Sequence, residues 1–153
     1  MTRLEDFLKL NKNRQIWTIS KDQSVMQALI LMSEKNIGAI IVVDNNDFPI
    51  GIFSERDYAR KIVLKGKSSK DTLLDEVMTK ELITVTRDYK IDQCMEIMNE
   101  KRIRHLPVLE NKKIVGIIAT GYAGHPCDWK SLRKIADRYG LKLINDNCHA
   151  LGA

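Results

Sequence analysis

The sequence predicts an α/β (α+β) fold in which two copies of one strand–helix–strand–strand–helix block pair face to face. Three observations predict it. The segment TISKDQSVMQALILMSEKNIGAIIVVDN from Thr18 aligns with TVTRDYKIDQCMEIMNEKRIRHLPVLEN from Thr84, Asp22 falling on Asp88 at an offset of 66. Self-similarity of this kind marks a duplicated supersecondary unit. Val25, Ala28, Leu29 and Met32, and likewise Ile91, Cys94, Met95 and Met98, stand at i, i+3, i+4 and i+7, one apolar face of a helix. Behind each helix come two short apolar runs, 39–43 and 50–53 or 106–109 and 114–118, separated by a polar turn and so read as hairpin strands.

In chain order, Leu4, Phe7 and Leu8 predict a short lead-in helix within residues 1–14. The first repeat, 15–66, closes with the helix ERDYARKIVLKG; Tyr58, Ile62 and the Ala59/Val63 pair supply its apolar side and Gly66 stops it. A linker, 67–79, runs from a basic segment, Lys67 to Asp71, through LLDEVMT into the second repeat, 80–120. After one deleted residue Gly51-Ile52-Phe53 falls on Gly116-Ile117-Ile118, and there the repetition ends. Ala119 stands opposite Ser54 and Tyr122 opposite Asp57, so the second repeat is expected to lack its own closing helix. Cys94 lies in a core stripe and is expected to pack, not react.

With 153 residues, 44% hydrophobic and 29% charged, the chain suits a globular domain. Its net charge of +5 attracts anions without choosing among them. Acids interrupt the basic runs and aromatics are not interleaved with them, so no nucleic acid is expected as a partner. The start, MTRLEDFLKL, carries charges where a signal peptide would be apolar. The longest apolar stretch, near 37–43, is too short for a bilayer, so no membrane partner is expected. Cys94, Cys127 and Cys148 are odd in number and irregular in spacing, which implies no disulfide framework and a reducing cytoplasm.

Residues 15–118 resemble a stand-alone pair of CBS (cystathionine-β-synthase-like) domains. The stretches that carry the resemblance are WTISKDQSVMQALILMSEKNIGAIIVVD, GIFSERDYARK, VMTKELITVT and MNEKRIRHLPVLENKKIVGII. The resemblance implies two repeats in a pseudo-twofold pair, often dimerised into a disc. It also implies a cleft for AMP, ADP, ATP, NAD(H) or S-adenosylmethionine.

At Gly51-Ile-Phe-Ser-Glu-Arg-Asp57 a strand runs into a helix, which makes Ser54 a good N-cap. Backbone N–H groups at that helix start favour a phosphate. Asp57 lies one turn in, where a carboxylate can accept both hydroxyls of a ribose. The resemblance gives these residues the same roles, Asp57 for ribose and Ser54 for phosphate. Structure alone accounts for both residues equally well: Ser54 caps and Asp57 complements the helix dipole. Thr18 and the backbone near Ala39 resemble the wall that holds adenine. Arg56, Arg104 and His105 are candidates for phosphate contact, Arg through its bidentate fork; each also reads as a surface or structural residue. Tyr122 and Ala119 lack the groups a second site needs, so one competent site per chain is expected.

In the tail, 121–153, Asp128 caps a helix that carries Leu132, Ile135, Ala136 and Tyr139 on one face, Gly140 ends it, and 141–144 reads as a strand. The segments YAGHPCD and INDNCHALGA resemble the DegT group of sugar aminotransferases, which use pyridoxal phosphate (PLP). The resemblance matches Asp146 to the acid on the pyridinium nitrogen and His149 to a residue beside the ring. No Schiff-base lysine follows before Ala153, so these are relic positions and PLP is not expected to bind. His125, Cys127, Cys148 and His149 are zinc-competent, but adjacent strand residues point apart and no metal is expected. The tail helix is expected to substitute for the missing closing helix.

The expected function is a non-catalytic regulatory module for an adenine nucleotide, with no required cofactor, as a homodimer answering to an effector protein. Two alternatives stand beside it: an interaction scaffold without ligand, and a non-functional fusion carrying an aminotransferase fragment.

Overall fold

The computed structural model describes residues 3–10 and 15–119. The tail expectations, including the substitute helix, Asp146, His149 and the zinc-competent set, lie outside the described residues. Helix α1 (Leu4–Leu10) precedes β1 (Thr18–Ser20), α2 (Val25–Lys35), β2 (Ala39–Val43) and β3 (Pro49–Ser54). A short α3 (Glu55–Asp57) runs on as a π-helical segment, Tyr58–Val63. Then come α4 (Leu74–Val77), α5 (Ile91–Lys101), β4 (His105–Glu110) and β5 (Lys113–Ala119).

The duplication is visible residue by residue. Helices α2 and α5 keep the offset of 66 at both ends, and each ends on a left-handed C-cap, Asn36 and Arg102, both at φ 52°. Strands β1, β2 and β3 form one sheet, β1 parallel and β3 antiparallel to β2. Ile19 pairs with Val42 in that sheet; Val85 bridges Val108 in parallel beside β4 and β5, the same pair 66 residues on. Helix α2 buries Val25, Ala28 and Met32 against Ile40, Val42 and Phe53, as its stripe predicts. Helix α5 buries Cys94 and Met98, and burial pushes the Cys94 thiol up. Met95 departs from the stripe: it is 43% exposed, and Ile97 packs on the core instead. The buried face of α5 is therefore turned toward Ile91, Cys94, Ile97 and Met98.

The closing helix of the first repeat also departs from expectation. Leu64 N–H bonds to Ala59 O and Lys67 N–H to Ile62 O, both five residues back. A π turn advances each residue through less than the α-helical angle, so the i+4 face does not persist. Ile62 and Tyr58 reach the core, but Val63 and Leu64 turn to solvent.

The stretch read as linker, 67–79, is a structural part of the first repeat. Leu74, Val77 and Met78 are buried in its core. Leu74 N–H bonds to Gln23 O and Asp75 N–H to Lys21 O, while Thr79 exchanges both backbone bonds with Ile52. Helix α1 does the same for the second repeat: Leu4 N–H bonds to Tyr89 O, Glu5 N–H to Arg87 O, and Leu4 is buried beside Val85 and Leu106. Gln23 and Lys21 become Tyr89 and Arg87 by the same offset of 66, so the two lead-ins are equivalent and exchanged. Each packs closely over a glycine of the repeat it serves. A Cβ at Gly51 would lie 2.7 Å from Met78 Sδ, and one at Gly116 would lie 2.6 Å from Leu8 Cδ2.

Candidate functional site

Strand alternation places the candidates. Ile40 and Val42 face α2; Ala39, Ile41 and Val43 face the other way and are buried too, so β2 is covered on both sides. Register puts Thr18 opposite Ile41 and Ala39 opposite Ser54. Thr18, Ala39 and Ser54 therefore share the face turned away from α2. Lys113 and Ile114 of the second repeat line a cleft of about 400 Å³ with Thr18, Val43, Phe48 and Pro49. At the other end of β2, a Cβ at Gly38 would lie 3.7 Å from both Glu55 Oε2 and His105 Nε2. Residues of the second repeat thus lie at both ends of that face, on which Ala39 is buried and Thr18 exposed.

Ser54 is an N-cap in the extended conformation, with a reciprocal capping box to Asp57. Its hydroxyl accepts from Asp57 N–H at 3.3 Å and donates to Asp57 Oδ2 at 2.9 Å, and Ser54 N–H donates to the same oxygen at 3.0 Å. The other oxygen, Oδ1, accepts from Thr79 Oγ1 at 3.0 Å and pairs with Lys61 Nζ at 2.8 Å. A carboxylate offers about four acceptor positions, and all are occupied here. Neither Ser54 nor Asp57 lines the Thr18 cleft, nor the second hollow, about 670 Å³, around Arg3, Thr86, Arg87 and Lys112.

The phosphate candidates separate. Arg56 Nη1 donates to Arg102 O at 3.0 Å, so its guanidinium closes the C-terminus of α5 across the repeat boundary. His105 opens β4, half-buried near Gly38 and Glu55. Burial first, then the Arg104 cation beside it, push its imidazole below the ordinary 6.5, with Glu55 opposing. Burial therefore favours the neutral imidazole in the ligand-free protein. Arg104 is half-buried and engaged within the protein.

Two residues of this site were not among the sequence candidates: Lys61 and Thr79. Lys61 Nζ also bonds Val77 O at 2.8 Å and Thr79 Oγ1 at 3.0 Å, so all three of its donors are used. The i, i+4 spacing of Asp57 and Lys61 was the available signal for the first. Thr79 stands in VMTKELITVT, a stretch that carries the resemblance, but nothing in that stretch gives it a carboxylate partner. Among the described residues no group of three His, Cys, Asp or Glu side chains could hold a metal ion. No helix among them is long and apolar enough to cross a membrane.

A duplicated α/β block with paired repeats and a strand-to-helix Ser/Asp cap defines a tandem pair of small α/β modules. The chain belongs to the CBS domain family, whose profile matches residues 6–64 and 74–120. It is similar to the mitochondrial CBS domain-containing protein CBSX3 of Arabidopsis thaliana, 41% identical over 65% of this chain and 50% of that one. It spans about half the length of the first curated relatives it matches, 54% for one from Methanopyrus kandleri. A solved structure of a protein with CBS domains from Burkholderia ambifaria is 36% identical with a TM-score of 0.74, covering 95% of this chain and 99% of that one. A hexameric CBS-CP12 protein from bloom-forming cyanobacteria is 26% identical with a TM-score of 0.68, covering 77% and 68%. An inosine-5'-monophosphate dehydrogenase from Nitrosopumilus maritimus matches over only 25% of its own length.

Proposed function

We propose that this chain is a cytoplasmic, non-catalytic regulatory module that binds an adenine nucleotide or adenosyl ligand through the Thr18, Ala39, Ser54 and Asp57 face. The ligand class comprises AMP, ATP, NAD(H) and S-adenosylmethionine, and no cofactor is required. The observation that carries the reading is that Thr18, Ala39 and Ser54 share one sheet face, flanked at both ends by second-repeat residues, with Asp57 one turn beyond. A ligand there touches both repeats, and differential contact with two arrangements is what a sensor needs.

The assembly proposed is a homodimer. Ile30 and Met95 are large apolar side chains left exposed on α2 and α5, and the similarity to a cyanobacterial protein that is hexameric supports assembly. In this reading residues 121–153 bring no aminotransferase activity, and Asp146 and His149 hold no PLP.

The saturated Asp57 carboxylate favours a second reading, an interaction scaffold without ligand. Thermal unfolding with AMP, ATP, NADH and S-adenosylmethionine separates the two. A ligand at a hundredfold excess over its Kd stabilises by about 2.7 kcal/mol, a rise of several degrees. One of the four should produce that rise, and Asp57→Asn should abolish it. Four flat traces would leave the scaffold reading.

A further inference from the structure

We infer that Thr79 and Lys61 set the affinity of the Asp57 site by competing with the ligand for Oδ1, and so tie occupancy to the second repeat's lead-in. The inference rests on the ribose role of Asp57. With four donors already on the carboxylate, a ribose diol must displace two of them. The Oδ2 donors both come from Ser54, three residues away, and form the helix cap. The Oδ1 donors come from Thr79 and from Lys61, which itself holds Val77 O. Asp57 is 13% exposed and Lys61 37%, so the lysine can rehydrate its ammonium when it leaves, whereas the cap cannot open without fraying α3. Oδ1 is therefore the oxygen vacated.

Its release acts on residues 74–79. With the carboxylate taken by ligand, Thr79 keeps its backbone pairing to Ile52 but loses its side-chain anchor, and Val77 O loses its lysine donor. Because this segment packs on the first repeat and leads directly into the second, ligand at Asp57 loosens the strap between them. The capping box alone, without the Thr79 and Lys61 contacts, has no such reach.

The test is Thr79→Val, which keeps shape and backbone pairing and removes only the competing hydroxyl. Binding of adenosine and of AMP is measured by titration calorimetry on the whole chain. Both should tighten by about tenfold, the equivalent of one hydrogen bond to a charged group. A merely structural threonine would weaken or leave binding, not improve it, and unchanged or weaker binding overturns the inference. Lys61→Met distinguishes the lysine's role: equal gains for adenosine and AMP support competition at the ribose. A loss confined to AMP makes Lys61 a phosphate ligand and overturns it.

Hydrogen exchange on the ligand-free chain keeps the two readings apart. Asp57→Asn should speed exchange across residues 74–79 by about tenfold, matching one weakened charged contact. Unchanged exchange overturns the strap even if nucleotide binds. If neither adenosine nor AMP binds the parent chain or either variant, the inference fails, whereas the nucleotide reading fails only if ATP, NADH and S-adenosylmethionine also leave the melting trace flat; faster exchange would then leave the Asp57–Thr79 contact as a structural tie.

Discussion

The two repeats share a skeleton and differ at the points where chemistry is done. Helices, C-caps and the Ile19–Val42 and Val85–Val108 pairs superpose by one offset. Gly38 and Ala39 of the first repeat become Arg104 and His105 in the second, so a small pair, half-buried Gly38 and buried Ala39, is matched by a cation and a half-buried imidazole. Ser24 caps α2 through a full capping box, whereas Lys90, its counterpart, receives only the Gln93 half. Between strands, a five-residue turn held by Asp44 becomes a two-residue turn with Asn111 and Lys112 both at positive φ. Duplication preserved what packing requires and left the rims free to diverge.

The exchange of lead-ins is the part of this symmetry that mutation can break most visibly. Leu74→Ala and Leu4→Ala should each cost about 2–5 kcal/mol, because both leucines are buried and leave cavities. Equal costs in urea unfolding, within about 1 kcal/mol, are expected of equivalent lead-ins. A near-silent Leu4→Ala would mean the exchange is not reciprocal.

Next in size is Gly51→Ala, which meets both Met78 Sδ and the Thr79 backbone oxygen at 2.9 Å. It should cost about 1–3 kcal/mol as overpacking against backbone. Gly116→Ala meets the tip of Leu8, which can swing aside, and should cost less. Reversal of that order in thermal melts would place the tighter strap on the second repeat.

The smallest effect expected is electrostatic. The folded imidazole of His105 titrates below 6.5, so the unfolded chain takes up the proton first. Stability should fall as pH drops through 6.5 toward the lowered folded value, and the contribution should be absent above it. His105→Ala, which restores the first repeat's residue, should flatten the urea midpoint over that window. An unchanged pH dependence would remove His105 as its source.

Much of the fold was legible because helix stripes and strand alternation are local signals. Val25, Ala28 and Met32 went where their spacing put them, and Ser54 caps as its place between strand and helix required. Met95 did not, since a helix's apolar arc is wider than the neighbour that covers it, and which edge is buried depends on that neighbour. Val63 did not, because the π turn changed the period on which its face was read. At the site, Ser54 and Asp57 were legible from the strand-to-helix junction. Thr79 was not, because nothing in its own neighbourhood indicates that it will lie against a carboxylate 22 residues earlier.

The sequence by itself determined the duplication, the order of elements within it, and the Ser54–Asp57 cap, all of which follow from spacings of a few residues or from direct repetition. Only the tertiary structure decided that Leu74, Val77 and Met78 of the stretch read as linker are core, that α1 serves the second repeat while α4 serves the first, and that Asp57 is shared with Lys61 and Thr79. Those outcomes depend on which surfaces meet after the chain has folded back on itself, and burial rewards the meeting without leaving a periodic trace in either segment.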